Sequence, residues 1–348
     1  MGEPSVCVSI VTYNSQPYIR RCLEAVLRQE GVHLDVVVVD NASTDGTWKE
    51  LAGFRGRIRA IRNHCNEGFA AGQNRAIRSS CADWVLALNP DALLTAGFLS
   101  KMLDAAELDP RAGAICAKLL SIGPGFEPLA EPLLDSTGIY VTPAMRHFDR
   151  GWHERDEGQF QRTEYVFGAS AAAALYRRTM IEDISIDGEF FDSDFFSYRE
   201  DADVAWRAQL FGWRCIYTPD AVAYHVRTVS AKNRRSIPAA INMHSVKNRF
   251  LLRIKNLTPG LWRRYWLPMM LRDAVVVGAC LLAEPRSLGA FWRLAGCLRN
   301  AVRRRRLILS RRTVSDTDLA EWFHTQPVAR PIHSAAPAVL EAANFSHN

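Results

Sequence analysis

Apolar positions over residues 6–120 fall into short continuous runs separated by amphipathic stretches. The runs at residues 6–12, 34–40 (LDVVVVD) and 84–88 (WVLAL) show no polar alternation, the pattern of parallel strands covered on both faces. Residues 15–28 carry Leu23, Val26 and Leu27 on one helical face, and residues 45–51, 69–79 and 95–108 read as further helices. Residues 58–62 and 114–120 fit two more strands. Strands and helices alternating at this spacing predict an α/β fold around a mainly parallel sheet, with ligands at the carboxyl ends of the strands.

The pattern then changes. Residues 121–160 contain Gly123, Pro124, Gly125, Pro128, Pro132 and a polar run at 152–156, and read as an irregular segment. Residues 165–176 regain strand-like character with many small side chains. An acidic, aromatic loop follows at 187–198, then a helix at 200–211 and a strand-like stretch, 221–225, ending in His225. Beyond 226 the chain is basic and apolar, so the expected division is a catalytic domain, 1–235, and a basic helical region, 236–348, whose first helix spans 237–255.

Charge sharpens this division. The net charge of +6 conceals 21 Lys/Arg against 6 Asp/Glu in residues 226–348, or +15, and −9 before them. The acidic part suits small substrates and metal; the basic part suits a polyanionic surface. The apolar stretch 261–283 is interrupted by Arg272 and Asp273, and the run after them falls short of the roughly 20 residues that span a bilayer. Trp262, Tyr265 and Trp266 beside Arg263 and Arg264 resemble an interfacial belt, and Arg303, Arg304, Arg305, Arg306, Arg311 and Arg312 form a polybasic cluster. The expectation is peripheral attachment to the anionic inner face of the cell membrane; a basic helical bundle or an oligomer interface is the alternative. Nucleic-acid binding fits poorly, because the aromatics cluster with aliphatic residues instead of interleaving a basic groove. Eight cysteines without a CxxC pair argue against a zinc site or a disulfide framework, and no signal-peptide pattern opens the chain, so a cytoplasmic location is expected.

Candidate chemistry gathers where the strands should end. Thr12, Tyr13 and Asn14 follow the first run, and Asp40, Asn41 and Ser43 follow the second. Asp40 at a strand end can accept a hydrogen bond from a base or ribose, with Asn41 and Ser43 as neutral partners. An Asp/Asn turn with Asp45 as helix cap explains part of this stretch equally well. Asn66, Gly68, Phe69 and Asn74 open the third helix, where Gly68 permits close backbone approach to a phosphate, while Gly72 serves tight helix–sheet packing equally well. No GxGxxG follows the first strand, which removes the main support for a dinucleotide-binding enzyme. Asn89-Pro90-Asp91 directly after WVLAL places a carboxylate where Mg2+ or Mn2+ could bridge to a diphosphate. Glu200, Asp201 and Asp203 crowd one helix start beyond what capping needs, and His225 ends a strand as a second candidate metal ligand. A sugar-phosphate nucleotidyltransferase should carry a Gly-rich loop after the first strand, and residues 11–18 contain no glycine.

VSIVTYN (8–14), VVVDNASTDGT (37–47), NEGFAAGQN (66–74), LNPDA (88–92), FGASAAAALYRR (167–178) and FFSYREDADVAWRAQLFGWR (195–214), with His225 after them, together resemble the family 2 inverting glycosyltransferases of GT-A fold, rhamnosyltransferase-like branch. The resemblance covers about residues 5–250 and implies a nucleotide-diphospho-sugar donor held by Thr12, Asn14 and Asp40, with Asn66 and Asn74 near the ribose or the sugar. It implies a metal at Asp91, with Asn89 in place of the family's first acid, and Asp201 as catalytic base with Glu200 as the alternative. A glycan or lipid-linked acceptor in bacterial cell-surface polysaccharide synthesis, and rhamnose from dTDP-rhamnose, follow from the resemblance alone.

Overall fold

The computed structural model describes residues 3–227 and 239–332; the expected domain boundary at 235/236 and the start of the helix expected from 237 lie outside the described residues. Four parallel strands form the nucleus: β1 (Ser5–Thr12), β2 (His33–Asp40), β3 (Arg59–Arg62) and β4 (Trp84–Leu88), in the order β3-β2-β1-β4. The unbroken apolar runs in β1, β2 and β4 are explained by two separate cores. On one face Val6, Val8 and Ile10 meet α1 (Gln16–Val26) and α4 (Phe98–Ala106). On the other, Cys7, Val11, Val37 and Val39 meet α3 (Gly68–Arg78), α5 (Arg178–Ile184) and α6 (Glu200–Leu210). A short helix, α2 (Thr47–Ala52), joins β2 to β3.

Beyond β4 the sheet continues through mixed strands. After β5 (Ala92–Leu94) come β6 (Ala112–Ser121), β7 (Leu134–Ser136) and the β8–β9 hairpin (Ile139–Val141 and His147–Asp149). Residues 121–160 are therefore more ordered than their composition predicts, since three-residue strands are too short to show alternation. The stretch expected as one strand at 165–176 is two, β10 (Glu164–Val166) and β11 (Ala173–Arg177). The small residues between them have a packing reason: a Cβ on Gly168 would lie 2.2 Å from that of Ala205 on α6. The strand ending at His225 is the last part of β12 (Arg214–His225), which breaks register between Thr218 and Val222.

The C-terminal helices α7 (Ala239–Asn256), α8 (Pro259–Leu282) and α9 (Gly289–Ser310), then α10 (Asp316–Ala320), build a third core with α6: Trp206 and Leu210 pack with Leu251, Leu252, Leu261, Ile308 and Phe323. The last strand, β13 (Arg330–Pro331), returns to the edge of the main sheet beside β10. Arg272 and Asp273 do not break α8. Asp273 is bonded by Arg249 (3.4 Å) and Arg253 (2.7 Å) of α7, so it faces a neighbouring helix while the apolar run continues through it. Contrary to the sequence expectation, α8 is long and apolar enough by length and composition to cross a membrane, and only 11% of its most apolar window is buried.

Candidate active site

The parallel strands end together, and their last residues build one wall of the cleft. Asp40 is fully buried, and its carboxylate accepts from Thr12 Oγ1 (3.0 Å), Ser43 N (3.2 Å) and the Ser43 hydroxyl, with Arg62 Nε 3.5 Å away. Asn14 ties the two strand-end loops together: its N–H donates to Ser43 Oγ (2.9 Å) and its Oδ1 accepts from Thr44 N (2.9 Å). Tyr13 is 52% exposed, leaving a ring face open at the rim. Asn41 Nδ2 donates to Gly68 O (3.0 Å), and its Oδ1 accepts from Asn63.

At the start of α3, Asn66 Oδ1 accepts from Gly68 N (2.9 Å), and Gly68 takes φ +86° against the Phe196 carbonyl, where a Cβ would come within 2.5 Å. Gly72 packs on Val11, so helix–sheet contact explains it. Phe69 lies half-buried, edge-on to Phe191. Asn74, expected near the ribose or the sugar, is turned elsewhere. Its Oδ1 accepts from the backbone of Phe190 (3.1 Å) and Phe191 (3.0 Å), and its Nδ2 donates back to Phe191 O (2.6 Å), so its carboxamide holds the acidic loop.

The second wall is a polar relay. β5 pairs antiparallel with the end of β12, matching Ala92 with His225, which brings Asp91 beside the imidazole. His225 Nε2 is 3.3 Å from Asp91 Oδ1 and 3.2 Å from Asn89 Nδ2, while Nδ1 lies 2.8 Å from Asp135 Oδ2. Asp135 in turn meets Arg227 Nε (2.7 Å), and Arg227 Nη2 donates to Asp149 (2.6 Å). Burial works against a charged imidazole, but the Asp91 and Asp135 carboxylates outweigh it and hold His225 up at about 10. A divalent ion would have to displace the proton that these carboxylates hold on the ring. With Nε2 free of it, Asp91 Oδ1 and His225 Nε2 are spaced as neighbouring ligands, and Asp135 orients the ring from behind. Among the described residues no group of three His, Cys, Asp or Glu could hold a metal, so a diphosphate and water would complete the shell. Asp135, Asp149 and Arg227 were not singled out from the sequence; the three-residue strands carrying the two acids offer no pattern that marks them.

Asp201 lies at the far end of this relay. It opens α6 after a contorted turn, with φ values of +67° at Phe196, +71° at Tyr198 and +73° at Arg199. Positive φ in bulky residues is costly and persists only where the surroundings over-determine it. Here Asn248 of α7 has its Nδ2 within reach of three carbonyls of that turn: Phe195 (2.9 Å), Ser197 (2.9 Å) and Tyr198 (2.7 Å). Of the acids in the first turn of α6, Glu200 is buried, Asp203 is fully buried and ion-paired, and Asp201 alone is partly exposed. Asp201 accepts from Ala202 N (2.7 Å) and Ala171 N (3.4 Å). Burial first, and then the Asp149 charge, raise its pKa; burial and Asp201 itself raise that of Glu200.

Comparison with known proteins bears on the family and the fold. The glycosyl transferase family 2 model matches residues 7–185, just over half of the 348. A relative from Mycobacterium tuberculosis, N-acetylglucosaminyl-diphospho-decaprenol L-rhamnosyltransferase, is 28% identical over 233 residues, covering 63% of this chain and 75% of the relative. Among solved structures, a mannosyltransferase from Pyrobaculum calidifontis, in complex with GDP-Man and Mn2+, superposes with a TM-score of 0.52 at 18% identity, covering 89% of this chain and 86% of the other. TarS of S. aureus superposes with a TM-score of 0.53 at 18% identity, over 88% of this chain and 55% of the other. These two likenesses extend the GT-A fold to nearly the whole molecule. By family match and by fold, the chain is a glycosyltransferase belonging to glycosyl transferase family 2.

Proposed function

We propose that the enzyme inverts configuration while moving a sugar, rhamnose from dTDP-rhamnose, to a hydroxyl of a lipid-linked saccharide at the inner face of the membrane, in cell-surface polysaccharide synthesis. The observation that carries this reading is the partly exposed Asp201 at one end of a relay whose other end is the Asp91–His225 corner. A base and a diphosphate-facing corner on one cleft are the two requirements of a direct displacement. Tyr13, Asn14 and Asp40 hold the nucleotide at the strand ends. A divalent ion at Asp91 and His225 would neutralise charge on the departing diphosphate. Asp201 takes the proton of the acceptor hydroxyl as its oxygen bonds to the anomeric carbon and the bond to the nucleoside diphosphate breaks. The activity named for the mycobacterial relative supports both rhamnose and the lipid-linked acceptor. The exposed Trp262 and Trp266 on α8 support attachment to a bilayer.

The test is a panel of nucleotide sugars offered with a short-chain N-acetylglucosaminyl-diphospholipid, following nucleoside diphosphate release with Mg2+, Mn2+ or chelator. dTDP-rhamnose should turn over fastest, and chelation should stop it. Turnover that ignores chelator, or a preference for another donor, would overturn the corresponding part; pyrophosphate released from sugar phosphate and nucleoside triphosphate would replace the reading with nucleotidyl transfer.

A further inference from the structure

Five arginines from four separate segments share one electrostatic neighbourhood, and Arg199 among them lies in the field of Asp201. Arg146 comes from the β8–β9 turn, Arg199 from the turn before α6, Arg249 and Arg253 from successive turns of α7, and Arg272 from α8. Arg199 lies within the electrostatic field of Arg249, Arg146 and Arg253 and of Asp201 itself, Arg249 within that of Arg253 and Arg272, and Arg146 within that of Arg272. Asp273 is the carboxylate bonded within the group, and it serves only Arg249 and Arg253. The Nε atoms of Arg199, Arg253 and Arg272 are buried without a hydrogen-bond partner. Burial, then mutual repulsion, depresses Arg199 to about 9 and Arg249 to about 10. Like charges desolvated together cost stability unless something answers them, and guanidinium forks match phosphate oxygens.

Through Arg253 the cluster adjoins a greasy surface. A groove of about 530 Å3 between α7 and α8 is lined by Phe250, Ile254, Leu257, Trp262, Trp266 and Met269, and Arg253 and Asp273 stand in its wall. Trp262 and Trp266 are about half exposed at its edge, and Met270 and Leu271 extend the apolar face beyond it. A guanidinium of the cluster standing in the wall of an apolar channel, with four more arginines behind it, fits a molecule that is dianionic at one point and hydrocarbon beyond it.

We propose that this cluster and groove bind the acceptor's lipid diphosphate, the arginines taking the diphosphate and the groove the first units of the hydrocarbon chain. The saccharide on the other side of the diphosphate then reaches Asp201. The inference rests on the lipid-linked acceptor proposed above and adds to it the place where that acceptor is held.

Arg146→Gln and Arg272→Gln test it, because neither side chain is bonded to a carboxylate and neither removal orphans a buried acid. Tryptophan fluorescence, without donor and without divalent metal to keep diphosphate off the Asp91–His225 corner, would follow binding of farnesyl diphosphate, inorganic pyrophosphate and phosphatidylglycerol vesicles. Farnesyl diphosphate should bind wild type at least about tenfold tighter than pyrophosphate, or 1.4 kcal/mol. The double variant should bind it at least about tenfold more weakly, with its unfolding midpoint and dTDP affinity unchanged or higher. Trp266→Ala should weaken farnesyl diphosphate and leave pyrophosphate alone. Equal farnesyl diphosphate binding by wild type and double variant overturns the proposal, as does a loss that merely tracks a fallen unfolding midpoint. So does a double variant that loses only vesicle binding, which would make the arginines a headgroup site. Sugar transfer by the double variant with an unchanged KM for the lipid acceptor sinks the arginine site and leaves the proposed function standing. A wild type that binds farnesyl diphosphate but glycosylates no diphospholipid overturns the acceptor reading instead.

Discussion

Two acidic regions lie on either side of α6, and they are treated oppositely. Behind the helix, Asp203, Asp192, Asp187 and Glu189 each have a fixed cation. Asp203 is fully buried and accepts from Arg207 (3.0 Å), Lys255 (2.8 Å) and Asn256 (2.7 Å). Asp192 meets Lys255 and Arg304; Asp187 meets Arg303 and Arg304; Glu189 meets Arg304. On the other side, Asp91, Asp135 and Asp149 share one histidine and one arginine between them, and Asp201 accepts from backbone N–H groups. The pKa directions follow: Asp203 is lowered because Lys255 and Arg207 outweigh its burial, while Asp201, two residues away, is raised. The acids behind the helix are neutralised from within, and those on the other side carry fewer fixed cations.

That contrast can be broken by substitution. The largest expected effect is on the cleft side: Asp201→Asn should lower kcat by ~10²–10⁴ with donor binding and unfolding midpoint intact. In the wild type the acidic limb of kcat/KM should lie above the ordinary carboxylate range of about 4, because a base with a raised pKa is protonated, and lost, at a higher pH. Near-normal turnover in Asp201→Asn, with Glu200→Gln inactive, would move the base by one residue. Behind the helix, Lys255→Met should cost about 3 kcal/mol of stability, at the low end for a broken buried pair because Arg207 and Arg304 still flank the acids. A denaturant midpoint equal to wild type would show that the pairing is idle. The smallest effect sharpens the comparison within the cleft. Asp135→Asn should weaken Mn2+ binding, followed by electron paramagnetic resonance, by roughly 10–100-fold while the fold persists. Unchanged Mn2+ affinity would remove Asp135 from any role in orienting His225.

The sequence made the parallel nucleus legible because strands buried on both faces leave unbroken apolar runs, and the candidate polar residues stand at or just beyond the ends of those runs in β1, β2 and β4. Asp91 and His225 could be picked out as candidates for the same reason: each stands where a strand stops. Asp135 and Asp149 could not, since β7 and β9 are three residues long and carry no periodicity. The charge split was legible as a sum and misleading as a surface. Of the arginines expected to face an anionic leaflet, Arg303 pairs with Asp187 across 116 residues of chain, Arg304 and Arg311 pair with other acids of the front half, and Arg312 pairs with Asp316. Part of the basic excess therefore answers the acidic excess of the front half of the same molecule. Asn74 shows the limit of reading a motif, because a buried carboxamide serves whichever backbone lies nearest.

The turn gripped by Asn248 bears on modularity. The family 2 match ends at residue 185, which invites the view that everything after it is an exchangeable acceptor cassette. Yet the peptide that delivers Asp201 is held in its contorted shape by a side chain of α7, so the transferase unit includes that helix. A chimera joined before Asn248 would inherit Asp201 on a turn with nothing to hold it; one joined after α7 would keep that grip.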